Sequence, residues 1–204
     1  MEAELTKRGL NPVADNDGKG FESFHVKDPD GFDLQISNGA HVKQRKSTAA
    51  NAKGSVPAPF ASTEWQTVWL DHISFEVSNY KESTAFYSAL PGWTPTGDEG
   101  SQNEVQIGEL GNAIIRGGNP AAAPPGQPVP RRAAMGHVSF GISPFDPDKT
   151  KADLTTRGLN SREDTGDKGD IHDEKAKYKS YHTTTPDGFD LQISNATKAS
   201  RTVR

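Results

Sequence analysis

The sequence predicts an α+β protein assembled from repeated β-α-β-β-β units, and three observations carry that expectation. First, the chain repeats itself: Leu5 to Asn11 reads LTKRGLN and Leu154 to Asn160 reads LTTRGLN, while Pro29 to Asn38 and Pro186 to Asn195 are the same ten residues, PDGFDLQISN. An identity of that length marks a duplicated supersecondary unit. Second, short stretches that alternate apolar and polar residues, as strands do, surround single amphipathic stretches of helical period. Third, two spacers rich in Ala, Ser, Lys or Pro divide the chain into three parts.

The last part, residues 135–196, shows the unit in full. Gly136 to Ile142 (GHVSFGI) alternates as a strand, with His137, Ser139 and Gly141 on one face and Val138, Phe140 and Ile142 on the other. A helix over about Asp148 to Arg157 follows, closed by Gly158. Then come a short strand near Asn160 to Asp164, a polar loop over Thr165 to Lys175, and strands over Lys177 to Thr184 and Phe189 to Ser194. The Pro-Asp-Gly tract between the last two favours a tight reversal. The middle part, residues 67–118, has the same order with little identity: a strand over Thr67 to Val77, a helix over Tyr80 to Leu90 stopped by Pro91-Gly92, and short strands at about Trp93 to Thr96, Glu104 to Glu109 and Ala113 to Arg116. Residues 1–38 hold only the helix and the last three strands, so they read as a partial module, the end of a first pair in a longer four-module protein. Residues 39–66 and 119–134 are linkers, and 197–204 a tail.

Composition excludes several classes. The formal net charge of −4 with dispersed basic residues leaves no electrostatic footprint for nucleic acid. No run approaches the roughly 20 apolar residues that span a bilayer. The absence of cysteine excludes disulfides, thiolate ligands and a Cys nucleophile. No signal peptide is evident, and a cytoplasmic location is expected. No G-x-S-x-G, P-loop or dinucleotide fingerprint occurs. DPDGFD at Asp28 to Asp33 begins like a calcium loop but lacks the downstream acid that completes one, so a β-turn is expected. Asn195-Ala196-Thr197 is a glycosylation sequon by pattern only.

Paired β-α-β-β-β modules with a first-strand His, in LDHISF and GHVSF, and a D-P-D-G-x-x-x-E-like last hairpin resemble the vicinal oxygen chelate superfamily. That group includes glyoxalases, extradiol ring-cleavage dioxygenases and bleomycin resistance proteins. The resemblance covers most of residues 67–195. It implies a curved half-barrel of sheet with helices outside, and a divalent metal (Fe, Mn, Zn or Ni) in the cup. It further implies His72 and His137 as the first-strand ligands and Gln192 as the last-strand ligand, where the family usually has Glu. The matching position of the middle module, four residues after Gly111, is Ile115, so a fourth ligand is missing and a three-ligand site of the dioxygenase kind is expected. Dioxygenases also carry a Tyr ten residues before the ligand Glu, and here His182 stands ten residues before Gln192, as an acid or base rather than a ligand.

Plainer readings exist for each residue. A single strand histidine is ordinarily a satisfied polar residue; two at equivalent module positions are not ordinary. His182 has a counterpart in His25, and Gln192 in Gln35, although the partial module lacks a His-bearing first strand, so both could be inherited hairpin sequence. His172 and His41 read as solvated. The expected function is a metal-dependent dioxygenase-like or glyoxalase-like enzyme (a lyase or isomerase in the second case) acting on a small molecule with adjacent oxygens. The alternative is a metal-free binding module of the bleomycin-resistance kind. The expected partners are a small-molecule substrate and either a second copy of the chain or a missing N-terminal module, with no nucleic acid and no membrane.

Overall fold

The computed structural model describes residues 1–39, 60–117, 133–166 and 169–201. The chain divides into two compact units, Met1–Pro59 and Phe60–Arg204. Most of both expected linkers, and His41 with them, lies outside the described residues.

The first unit holds helix α1 (Glu2–Lys7) and an antiparallel sheet of β1 (Val13–Asn16), β2 (Glu22–Lys27) and β3 (Asp33–Ser37), in the order β1-β2-β3. The second holds β4 (Gln66–Val77), α2 (Tyr80–Ala89), β5 (Thr94–Asp98), β6 (Gln102–Ile107), β7 (Gly111–Arg116), β8 (Ala133–Ser143), α3 (Pro147–Thr155), β9 (Arg162–Asp164), β10 (Ser180–Thr184), β11 (Asp190–Ser194) and α4 (Lys198–Arg201). Its eight strands form one open sheet in the order β5-β6-β7-β4-β8-β11-β10-β9. Two modules therefore join through their first strands, β4 and β8, which run antiparallel, and each first strand pairs in parallel with its own last strand, β7 or β11. Among the described residues no helix is long and apolar enough to cross a membrane.

The repeated motifs encode the same local devices in both copies. In LTxRGLN the helix ends where Gly9 and Gly158 take positive φ of 78° and 72°, a conformation that a side chain resists. The next residue then folds back: Leu10 N–H reaches Leu5 O at 3.1 Å, and Leu159 N–H reaches Leu154 O at 3.0 Å. The leucines at these carbonyls are buried at 4% and 1% exposure, so the stop and the core anchor are one feature. In PDGF the turn is held from just upstream. Asp28 Oδ1 accepts from Asp30 N–H at 2.9 Å and Phe32 N–H at 2.8 Å, and Thr185 Oγ1 takes the corresponding Phe189 N–H at 3.1 Å. Asp28 is thus a turn residue, as the missing downstream acid implied.

In the second unit α2 starts on Asn79, whose side chain accepts from Lys81 and Glu82 N–H, and α3 starts on Asp146, which accepts from Lys149 N–H at 2.8 Å. The helices bury one face of the sheet. Tyr87 stacks on Trp93 at 4.5 Å beside Phe75 in one module, and Leu154 packs with Ile142, Ile171, Tyr181 and Ile193 in the other. Because strand side chains alternate, the other face is left to the polar set: His72, Ser74, His137, Ser139, His182 and Gln192. The strand expected over Lys177 to Thr184 begins only at Ser180. The Asn195 side chain takes its place upstream, accepting from Lys179 N–H and donating to Lys177 O.

Candidate metal and substrate site

The polar face of the eight-stranded sheet lines an open cup of about 840 Å³. His72 on β4 and His137 on β8 meet at its centre with their Nε2 atoms 2.7 Å apart. One of these nitrogens holds a proton toward the lone pair of the other, unless a cation takes the proton's place. Burial, followed by the neighbouring charges of His72, His182 and Arg116, brings the His137 pKa down to about 4, so its imidazole is neutral near pH 7 and keeps a lone pair to offer.

Gln192 on β11 lies directly beside Ser139 of β8 on one side and His182 of β10 on the other. Its Nε2 donates to Asp164 Oδ2 at 3.2 Å and to Ser180 Oγ at 2.8 Å, and a carboxylate can only accept, which sets the amide's orientation. Its Oε1 is left buried with no hydrogen-bond partner. Such an orphaned carbonyl costs about 1–3 kcal/mol unless a ligand satisfies it. Two facing imidazole nitrogens and one unsatisfied amide oxygen in a polar cup fit the donor set of a borderline divalent ion with open positions.

His182 is clamped at both ring nitrogens, Nδ1 at 2.9 Å from Asp190 Oδ1 and Nε2 at 3.2 Å from Asp164 Oδ2, and its ring meets that of His137 edge-on at 5.0 Å. The hydrogen bond from His182 holds the Asp164 carboxyl down at about 2, against the opposing effect of burial. The first unit repeats this network member for member. His25 Nδ1 lies 2.9 Å from Asp33, His25 Nε2 3.6 Å from Asp15, and Gln35 Nε2 donates to Asp15 Oδ2 and Ser23 Oγ. Ser23 and Ser180 each donate to the carbonyl of that same Asp at 2.8 Å. What differs is the surroundings: the His25 side chain is 35% exposed and that of His182 is 6%.

Two residues that line the cup, Tyr178 and Arg201, bond a buried carboxylate, Asp71. Asp71 is the extra residue where the register of β4 shifts between Leu70 and His72, and it is fully buried. Asp71 Oδ2 accepts from Ser139, Tyr178 and Ser194 hydroxyls at 2.8–2.9 Å, and Oδ1 accepts from Arg201 Nε at 2.7 Å. Burial alone would raise its pKa, but His72 beside it at 3.5 Å, with Arg201 and Tyr178, holds it well below the usual carboxylate range. Arg201 also pairs with Glu104 at 2.9 Å, and its carbonyl accepts from Asn112 Nδ2. On the way from β11 to α4 the chain passes over Gly141 so closely that a Cβ there would lie 1.8 Å from Ala196 O.

The structure brings His72, His137, Gln192 and His182 into one cup. His172 stands outside it on an exposed loop, 3.8 Å from Asp148. Register places one equivalence differently from turn counting. His137 faces Asp190 and Ser139 faces Gln192; likewise His72 faces Asn112 and Ser74 faces Ile114. The middle module's counterpart of Gln192 is therefore Ile114, which lines the cup, and not Ile115, which is fully buried. Both are aliphatic, so no fourth ligand comes from that position. Asp164 and Asp190 were legible in the repeat, since Asp15 and Asp33 occupy the matching places. Nothing in the sequence marked Asp71 or Arg201.

No protein-family model and no curated protein matches the chain. Among solved structures, it is similar to the Mn(II)-bound glyoxalase of Novosphingobium aromaticivorans, with a TM-score of 0.60 and 15% identity over 100% of this chain and 61% of that one. It is also similar to BphC, a halotolerant catechol dioxygenase, with a TM-score of 0.58 and 14% identity over 94% of this chain and 61% of that one. An extradiol ring-cleaving dioxygenase from B. fuscum aligns with 65% of this chain and 33% of its own, at a TM-score of 0.47 and 16% identity. The chain thus spans less than two thirds of the length of each. The class these findings define is one of architecture: two β-α-β-β-β modules that share one open sheet.

Proposed function

We propose that this protein is a metal-dependent enzyme acting on a small molecule through two adjacent oxygens, with chemistry of the extradiol-dioxygenase type favoured over glyoxalase-type isomerisation. The observation that carries this reading is the His72–His137 pair, whose Nε2 atoms face each other at 2.7 Å in the cup. His72, His137 and Gln192 would hold the ion, which when bound would polarise a substrate oxygen and acidify a coordinated hydroxyl. Burial keeps His137 in its neutral, coordinating form. His182, oriented by Asp190 at Nδ1, would exchange a proton with the substrate at Nε2, the nitrogen it shares with Asp164. Ile114 in the place equivalent to Gln192 leaves the middle module without the base that glyoxalase-type isomerisation would use there. The cup's polar walls suit a polar substrate.

The test is elemental analysis of the purified protein and of His72→Ala and His137→Ala variants, followed by oxygen uptake with a panel of catechols. Stoichiometric metal in the parent and its loss in both variants supports the reading. Negligible metal in the parent, or metal unchanged in both variants, ends it. The neutral Gln192 favours one second reading, a metal-free binding module, which predicts thermal stabilisation by an aromatic or polar small molecule with no metal present.

A further inference from the structure

A site of two imidazoles and one amide carries no negative charge, yet a divalent cation entering a half-buried cup loses hydration that neutral ligands replace poorly. The chain places an anion within reach. Asp190 lies two residues before Gln192 on β11, so it shares that residue's face of the sheet, and the strand register sets it directly beside His137. One ligand-capable atom from each of His137, His182 and Asp190 lies within 4.8 Å of the other two. Asp190 Oδ1 is engaged by His182, while Oδ2 is met only distantly, at 3.5 Å, by an Arg162 guanidinium that is 67% exposed. His137 thus belongs to two groups at once: the facing pair with His72 and the carboxylate pair with Asp190.

We infer that Asp190 is the anionic ligand of the metal site in this chain, joining His72, His137 and Gln192 and supplying the charge that Gln192 lacks. This inference rests on the metal-dependent reading above and adds a residue to it. Asp190 would bridge the ion and His182, holding the ion through Oδ2 and the imidazole Nδ1 through Oδ1. Metal binding and the orientation of the acid-base histidine would then be set by one carboxylate. The middle module shows what is absent on the other side: the residue facing His72 in the same register is Asn112, an uncharged isostere. The first unit serves as an internal control. Asp33 and His25 reproduce the Asp190–His182 pair at the same 2.9 Å, and no first-strand histidine appears beside them among the described residues of that unit.

The experiment is titration of the chelator-treated protein with Mn(II), and of the parent with Fe(II), Zn(II) and Ni(II) in turn, read by calorimetry and, for Mn(II), by electron paramagnetic resonance. The variants are Asp190→Asn, Asp33→Asn and His72→Ala. Asn keeps an oxygen to accept from His182 and removes the charge and the second oxygen. Asp190→Asn is expected to weaken Mn(II) binding at least tenfold and Asp33→Asn to leave it unchanged. Should Asp190→Asn bind as tightly as the parent while His72→Ala does not, the role of Asp190 is overturned and the metal site stands. A parent that binds no Mn(II), Fe(II), Zn(II) or Ni(II) overturns the underlying reading as well.

Discussion

Asp71 is a carboxylate with no exposed surface, and four donors explain how it remains one. A buried charge is tolerated only when its lone pairs are filled, and here three hydroxyls and the Arg201 guanidinium fill them. The titratable residues nearby follow the same logic of environment. His137 titrates near 4 in the folded chain against an ordinary 6.5, so the unfolded chain takes up its proton first, and folded stability falls as pH drops from about 6.5 toward 4. Asp164 titrates near 2 against an ordinary 3.8, so the stability it contributes is whole above 3.8 and is lost as pH falls toward 2. Both act in the same direction, and the His137 window comes first. The denaturation midpoint of chelator-treated protein is expected to decline between pH 7 and pH 5, and to decline less in His137→Gln. A flat profile over that range in the parent would contradict the buried, neutral His137.

At the scale of elements, the two first strands do most of the placing. β4 and β8 run antiparallel at the centre of the sheet, so one histidine from each arrives at the same point with opposite strand direction. The register shift at Asp71 turns an additional side chain into the polar network. The segment leaving β11 then crosses Gly141 and delivers Arg201 to Asp71. Gly141→Ala tests this crossing. Its Cβ would meet a backbone carbonyl at 1.8 Å, which no rotamer change can relieve, so strand and crossing segment must separate. A loss of about 3 kcal/mol of stability is expected, read by denaturant titration. A change below about 1 kcal/mol would show that the crossing is not held as described.

At the scale of the whole molecule, the described residues contain one polar network backed by histidine strands and one copy of that network without them. His25, Gln35, Asp15, Asp33 and Ser23 keep the hydrogen bonds of His182, Gln192, Asp164, Asp190 and Ser180 except that at the histidine Nε2, which lies 3.6 Å from Asp15 against 3.2 Å from Asp164, so the network is a property of the hairpin and its neighbour strand. Metal content should therefore follow the second unit alone. A His25→Ala/Gln35→Ala protein is expected to hold as much metal as the parent by elemental analysis; a loss of half or more would place a second ion in the first unit.

Much of this was legible in the residues. The LTxRGLN and PDGFDLQISN repeats marked a helix stop and a hairpin, because Gly in left-handed conformation and a side-chain-capped turn are local devices encoded by adjacent residues. Period-2 alternation put His137 on a polar strand face, since parity needs no tertiary information, and the resemblance singled out His72. What only the tertiary structure decided was which faces meet. The 2.7 Å contact between residues 65 apart, the equivalence of Gln192 with Ile114, and the recruitment of Asp71 by Arg201 across 130 residues all depend on interstrand register and on one bulge. A register shift of one residue reverses every side chain, and no local signal in a single sequence records it.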